Sequence, residues 1–304
     1  ANARHLIEAA TRTGDVNVLG IFDDRLDRAP DDILGVPVLG DTAALIDHRV
    51  MPYVDRIIIA VTSEARGRVR QLVDKLDVLP NPISLFIDVG RDADRDAALS
   101  RIADAALADL TGAPADARKA VIKRLQDLMV GICGLMVAGP VMAIVAVAVR
   151  LDSPGPIFFR QRRHGFNNEE ILVWKFRSMR HEMADARAAR QISANDDRVT
   201  RVGKFIRKTS LDELPQLFNV LRGEMSIVGP RPHAVGMKTG DVESSKLVEQ
   251  YAHRHRMKPG VTGWAAINGS RGPVDTPELV RERVALDVDY IERQSFWLDL
   301  YIII

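Results

Sequence analysis

The sequence predicts an α/β chain in two parts: a partial parallel-sheet domain, then a mainly helical α+β domain held at a membrane. Three observations predict it. Short apolar strands alternate with helices over residues 1–95. Residues 128–149 form an apolar run without a charge. An adjacent acid pair, Asp212 and Glu213, is followed by a Gly-Pro-Arg-Pro loop at 229–232.

At 304 residues, one large or two ordinary domains are expected, and 46% apolar content suffices for a sizeable core. A formal net charge of +1 gives no global case for a nucleic-acid partner. The single cysteine, Cys133, excludes an internal disulfide framework and a cysteine-rich zinc site. The chain opens on a helical pattern without Met or a signal peptide and stops inside an apolar stretch, so a fragment of a longer protein is expected.

In order, residues 2–13 predict a helix, 16–22 a strand ending in Asp23 and Asp24, and 36–39 a short strand. Residues 42–48 predict a helix, 56–61 a buried strand, 64–76 a helix and 83–89 a strand. Strands alternating with helices imply a Rossmann-like sheet. The first strand and glycine-rich turn of such a fold would precede residue 1, so no dinucleotide phosphate site is expected in 1–95. Asp23 and Asp24 read as a solvated strand end. Residues 96–117, rich in Ala and Asp, predict a linker with some helix, and the second domain covers 118–304.

The 22 uncharged residues 128–149 would measure ~33 Å as a helix, about the thickness of a bilayer core. Two details argue against a simple span. Gly139 and Pro140 sit at its middle, where Pro removes a helical hydrogen bond. Both flanks are basic: Arg118, Lys119, Lys123 and Arg124 before, Arg150, Arg160, Arg162 and Arg163 after. A span carries its positive excess on one side. Both ends on one side, with a bend at Gly139 and Pro140, predict a re-entrant helix over about 120–150.

Downstream, Lys175 and Arg177 alternate with Trp174, Phe176 and Met179, which predicts two cations on one strand face, suited to a diphosphate. Arg207 and Lys208 precede the acid pair; Arg222 and Arg231 follow it. Two helix registers stay open: Ser210 with Glu213 as a capping box, or Asp212 as the N-cap. Either puts carboxylates at the positive end of a helix dipole. Leu214, Leu217, Phe218 and Leu221 form the apolar stripe, and Gly223 ends the helix. An isolated acid pair would read as ordinary capping. Flanking cations, with Arg231 on stiff Gly-Pro-Arg-Pro backbone, point instead to phosphate chemistry.

These residues, in order, resemble the bacterial sugar transferase family of monotopic polyprenyl-phosphate phosphoglycosyl transferases, in its large form with a Rossmann-like amino-terminal domain. The matching pieces are the basic segment entering an apolar run broken by Pro140, then SPGPIFFRQ at 153–161 and KFRSM at 175–179. TSLDELPQ at 209–216, NVLRG at 219–223, MSIVGPRP at 225–232 and KPGVTGW at 258–264 complete the set. The resemblance implies Asp212 as nucleophile, with Glu213 assisting, and both placing Mg²⁺. It implies substrate contacts from Gln161, Lys175, Arg177, Arg207, Arg222 and Arg231. The implied reaction transfers hexose-1-phosphate from a UDP-hexose, UDP-glucose before UDP-galactose, to polyprenyl phosphate through an aspartyl-phosphosugar, releasing UMP. It is the first membrane step of exopolysaccharide, capsule or O-antigen assembly. The implied location is the cytoplasmic face of the bacterial inner membrane, and a homodimer is among the implied partners. Ser270 and Val274 depart from the pattern of many glucose- and galactose-using members, and Phe166-Asn-Asn-Glu169 departs from a Gly/Lys-rich turn. Phe296, Trp297 and Leu298 with Tyr290 predict an interfacial aromatic patch. The rival reading is a non-catalytic membrane-anchored scaffold with a partner-binding Rossmann-like domain.

Overall fold

In the computed structural model the chain separates into two compact units, Ala1–Pro114 and Ala115–Ile304. The described residues are 2–14, 16–61, 66–87, 107–111, 117–181, 196–239, 242–272 and 274–304. The expected helix start at 64–65, strand end at 88–89, most of the linker 96–117, and Asn195 lie outside them.

The amino-terminal unit follows the expected alternation. Helix α1 (Asn2–Thr13) leads to β1 (Ile21–Phe22), β2 (Asp32–Ile33), β3 (Val36–Gly40) and α2 (Thr42–Ile46). Then come β4 (Ile57–Val61), α3 (Arg66–Leu76), β5 (Ile83–Ile87) and β6 (Leu107–Thr111). β1 pairs parallel with β3, and β4 parallel with β5 across α3, the βαβ pattern of a Rossmann-like domain. Leu45, Ile57, Ile59, Leu76 and Ile83 form its core.

Three expectations change here. The strand expected over 16–22 is confined to Ile21–Phe22. Part of the expected linker, Leu107–Thr111, is a strand antiparallel to β5. Asp24 is not simply solvated, since its carboxylate accepts from the backbone N–H and hydroxyl of Thr42 and ties the strand end to α2.

The second unit opens with α4 (Ala117–Asp152), helical without interruption through Gly139 and Pro140. One 18-residue window of it has a mean hydropathy of 2.5, and only 17% of that window is buried. Core helices of water-soluble domains bury their apolar residues; this one exposes Met129, Ile132, Met136, Val137, Ile144, Val147 and Leu151. Both ends nevertheless belong to the same unit. At the start, Lys123 Nζ pairs with Asp127 (3.2 Å) and Asp299 (2.9 Å), and Arg124 donates to the carbonyls of Val220 and Leu221. At the end, Met142, Val145 and Val149 pack with Phe176 and Ile206, and Asp152 accepts from the Val202 N–H.

The rest of the unit is built on this helix. β7 (Phe158–His164) and β8 (Glu170–Phe176) form a hairpin. Helix α5 (Arg201–Lys208), capped by Thr200, leads into a 3₁₀ turn at Leu211–Glu213 and then α6 (Gln216–Arg222). Asn219 on α6 closes the free edge of β8, accepting from Trp174 N–H and donating to the Leu172 carbonyl. β9 (Ser226–Val228) pairs parallel with β12 (Gly260–Thr262), and a small β10 (Lys238–Thr239) and β11 (Val242–Glu243) hairpin lies between them in sequence. Helices α7 (Trp264–Ile267), α8 (Pro277–Arg293) and α9 (Phe296–Ile303) complete the unit. Phe296 and Trp297 are exposed, but Tyr290 is not part of an aromatic surface patch. It is 1% exposed, and its hydroxyl bonds Asp299 at 2.6 Å.

Candidate active site

The acid pair sits in the 3₁₀ turn, and neither expected capping register forms. Ser210 adopts the left-handed conformation (φ 58°), and Pro215 rather than Asp212 precedes α6 without a side-chain cap. Proline carries no side-chain acceptor for the first N–H groups of α6, and its own missing N–H costs nothing at a helix start. The carboxylates are therefore held by the turn and its neighbours. Gly223 ends α6 with φ 85°, as expected.

Glu213 is clamped by two cations. Its Oε1 lies 2.8 Å from Lys175 Nζ and 2.8 Å from Arg231 Nη2. Burial alone would raise its pKa, but Lys175 and Arg231 together outweigh that and hold it down at about 2. Asp212 shifts the opposite way. It is 9% exposed, and no side-chain donor among the described residues bonds its carboxylate. Burial raises its pKa, with the negative Glu213 adding, against the attraction of Lys175 and Arg207. Lys175 is itself lowered by burial, against the pull of Glu213. Two adjacent carboxylates driven apart in this way are suited to different tasks.

Lys175 stands on the inward face of the β7–β8 hairpin. Gln161 and Arg163 share that face, being opposite Val173 and Ile171 in the register. Gln161 does not point a free amide at the acid pair. Its Oε1 accepts from Arg163 Nε and Nη2, and Arg163 Nη1 donates to the Pro232 carbonyl at 2.7 Å. Burial, then repulsion from Arg231, lowers the Arg163 pKa to about 10. Arg163 is thus a residue of this cluster that the sequence placed only among helix-flanking charges.

The Gly-Pro-Arg-Pro loop is held carbonyl by carbonyl. Pro230 O accepts from Gly260 N–H (2.9 Å), Arg231 O from Arg254 Nη2 (2.8 Å), Pro232 O from Arg163, and His233 O from His164 N–H (3.1 Å). Gly229 and Gly260 pack backbone to backbone, and a Cβ on Gly260 would lie 2.1 Å from Gly229 N. The glycines of 258–264 thus permit an approach that no side chain would allow.

Two expected phosphate ligands lie elsewhere. Arg177 is 3% exposed, and its guanidinium donates to the carbonyls of Val149, Ser153 and Pro154 and to the Ser153 hydroxyl. Strand β8 ends at Phe176, so the alternation placing Arg177 beside Lys175 does not reach it. Arg222, at the far end of α6 from the acid pair, lies 5.1 Å from the Trp174 ring, which Arg160 also covers at 4.0 Å. The structure thus gathers Asp212, Glu213, Lys175, Arg207 and Arg231, sets Gln161 behind Arg163, and leaves out Arg177 and Arg222. It adds the loop at 270–272: Arg271 donates to the Ser210 hydroxyl at 2.8 Å, while Arg283 donates to Ser270 and the Gly272 carbonyl.

Among the described residues no group of three His, Cys, Asp or Glu side chains stands together as a metal cage. Adjacent carboxylates are still a donor set that suits Mg²⁺, which takes one or two carboxylates together with substrate phosphates and water.

Residues 118–304 match the family described as bacterial sugar transferase, and residues 1–86 match a CoA-binding domain family. A UDP-glucose:undecaprenyl-phosphate glucose-1-phosphate transferase of Xanthomonas campestris pv. campestris is 41% identical over 294 residues, covering 95% of this chain and 60% of its own length. An undecaprenyl-phosphate glucose phosphotransferase of Komagataeibacter xylinus is 53% identical over 181 residues, 60% of this chain and 34% of its own. A UDP-N-acetylgalactosamine-undecaprenyl-phosphate N-acetylgalactosaminephosphotransferase of Aeromonas hydrophila is 39% identical over 185 residues, 60% of this chain and 42% of its own. The chain therefore spans at most about 60% of the length of these curated relatives.

Proposed function

The chain belongs to the bacterial sugar transferase family, and from that premise we propose that it moves a hexose-1-phosphate from a UDP-hexose to polyprenyl phosphate, with Asp212 carrying the phosphosugar between them. UDP-glucose is the proposed donor, because two of the three relatives above are named for glucose transfer. The observation that carries the mechanism is the split within the acid pair. Glu213 is neutralised by Lys175 and Arg231, whereas among the described residues no side-chain donor bonds the Asp212 carboxylate.

An Asp212 carboxylate oxygen attacks the sugar-linked phosphorus of the donor. The bond from that phosphorus to the bridging oxygen breaks, and UMP leaves with the electron pair. Polyprenyl phosphate then attacks the same phosphorus, and the aspartate carboxylate is released unchanged. Splitting the transfer in two lets a water-soluble donor and a lipid acceptor use one site in turn. Lys175, Arg207 and Arg231 face the acid pair and would offset the charge gathering on the transferred phosphoryl. Asp212 and Glu213 are the residues that would hold Mg²⁺, which when bound would neutralise phosphate charge.

The membrane-facing element is α4. Its exposed apolar surface, with both ends bonded into one unit, supports a re-entrant or in-plane helix holding that unit on a single face of the bilayer. Lys123 and Asp152, at opposite ends of α4, both bond into this one unit, which argues against a helix that crosses. We place the unit on the cytoplasmic side of the inner membrane, where a UDP-sugar is available.

The test is Asp212→Asn in purified protein supplied with polyprenyl phosphate and UDP-glucose. Transfer should fall at least about 10³-fold, a loss on the scale of losing a nucleophile. A phosphosugar adduct should be trapped on Asp212 of the unmodified chain by mass spectrometry. Undiminished turnover in the variant would overturn the mechanism. Labelling of cysteines placed on each flank of 128–149 should report one and the same side.

A further inference from the structure

Arg231 can serve Glu213 only while its backbone is held, because its own side chain is 38% exposed. Prolines on both sides, Pro230 and Pro232, remove two N–H groups that could have anchored the loop. The anchoring therefore falls to the carbonyls, and the one belonging to Arg231 is taken by Arg254. Arg254 is 1% exposed and lies in the 3₁₀ segment Glu249–Arg256. Its Nη2 reaches both the Arg231 carbonyl (2.8 Å) and Asp287 Oδ2 on α8 (2.5 Å). Its Nη1 meets the His233 ring, which also bonds the Tyr251 hydroxyl. Burial, together with Arg254, holds His233 well below its ordinary pKa, so the ring stays neutral beside the guanidinium. One planar guanidinium thus joins the loop, its neighbour His233 and helix α8.

On the reading of the site proposed above, we infer that Arg254, braced by Asp287, is a positioning residue for transfer: it sets the Arg231 backbone so that the Arg231 guanidinium meets Glu213 and the donor phosphate. Arg254 is buried and bonds the Arg231 backbone rather than either carboxylate of the acid pair. Lysine cannot replace it, since a single ammonium cannot serve the carbonyl, the imidazole and the carboxylate in one plane.

The experiment is a double-mutant cycle in the full chain, read by donor turnover, with hydrogen exchange of the peptide spanning 229–233 measured in parallel. Arg254→Lys should lower kcat about 10- to 100-fold with Arg231 present and less than about twofold in an Arg231→Ala background. Exchange of the Gly229 amide, which donates to the Thr262 carbonyl, should accelerate at least about tenfold, with exchange in α4 unchanged. Equal losses of kcat in both backgrounds, or unchanged exchange at 229–233, would overturn the inference. Asp287→Asn, which keeps the arginine and removes its brace, should reproduce the accelerated exchange; if Arg254→Lys does not fold, this variant decides by the same criteria. Absence of transfer by the unmodified chain would remove the proposed reaction, and the exchange readout would still decide whether Arg254 holds the loop.

Discussion

Lys175 Nζ lies 2.8 Å from Glu213 Oε1, joining the end of hairpin strand β8 to the acid-pair turn across 38 residues of sequence. Both side chains are largely buried, at 17% and 18% exposure, so neither charge can lean on water for its stability. Lys175→Met should leave Glu213 to Arg231 alone. We expect turnover to fall about 10²-fold or more and the thermal midpoint to drop. Steady-state kinetics and calorimetry on one preparation check both.

The opposed shifts within the acid pair set the pH behaviour. Asp212 must be ionised to attack, and its pKa is raised, so kcat/KM should fall on acidification earlier than an ordinary aspartate would allow. Removing the neighbouring negative charge lowers that pKa. Glu213→Gln should therefore move the acid limb of the profile to lower pH, whatever it does to the plateau. A limb that moves upward would contradict the assignment.

Glu213 also contributes to stability in a definite pH window. Its folded pKa of about 2 lies below the ordinary 4.5, so its contribution is fully present above 4.5 and disappears as pH falls through about 2. The difference in unfolding free energy between the unmodified chain and Glu213→Gln should be constant from pH 5 to 7, shrink as pH falls below 4.5 and vanish only near pH 2. Denaturant titrations at three pH values check it.

Cations outnumber carboxylates around the acid pair: Arg163, Lys175, Arg207 and Arg231 act on Asp212 and Glu213. A diphosphate should therefore stabilise the fold. At a concentration a hundred times its dissociation constant, UDP should add about 2.7 kcal/mol, visible as a raised thermal midpoint. Arg207→Gln should reduce that shift, whereas Arg222→Gln, at the other end of α6, should not.

Arg177 gives the contrary expectation to the one its spacing suggested. Its guanidinium ties the end of α4 to the following turn, where Gly155 (φ 119°) makes room for it. Arg177→Gln should destabilise the chain by about 2–4 kcal/mol through orphaned carbonyls while leaving the KM for the donor within about twofold. Urea unfolding and donor titration separate the two effects.

Much of this protein is legible from sequence, because local chemistry determines it. The strand–helix alternation of the first unit, the charge-free run of α4, the stop of α6 at Gly223 and the acid pair in its basic surroundings all follow from periodicity and residue type. What only the tertiary structure decided is which cations meet which carboxylates. Strand alternation placed Lys175 and Arg177 together, but alternation holds only while the strand lasts, and β8 stops one residue short of Arg177. Arg163 and Arg254 looked like any other basic residues, since their partners are backbone carbonyls 69 and 23 residues away. Residue type fixes a side chain's charge and reach. Which group lies within that reach depends on chain contacts between distant segments, and those exist only once the hairpin, the 3₁₀ turn and the Gly-Pro-Arg-Pro loop have packed against one another.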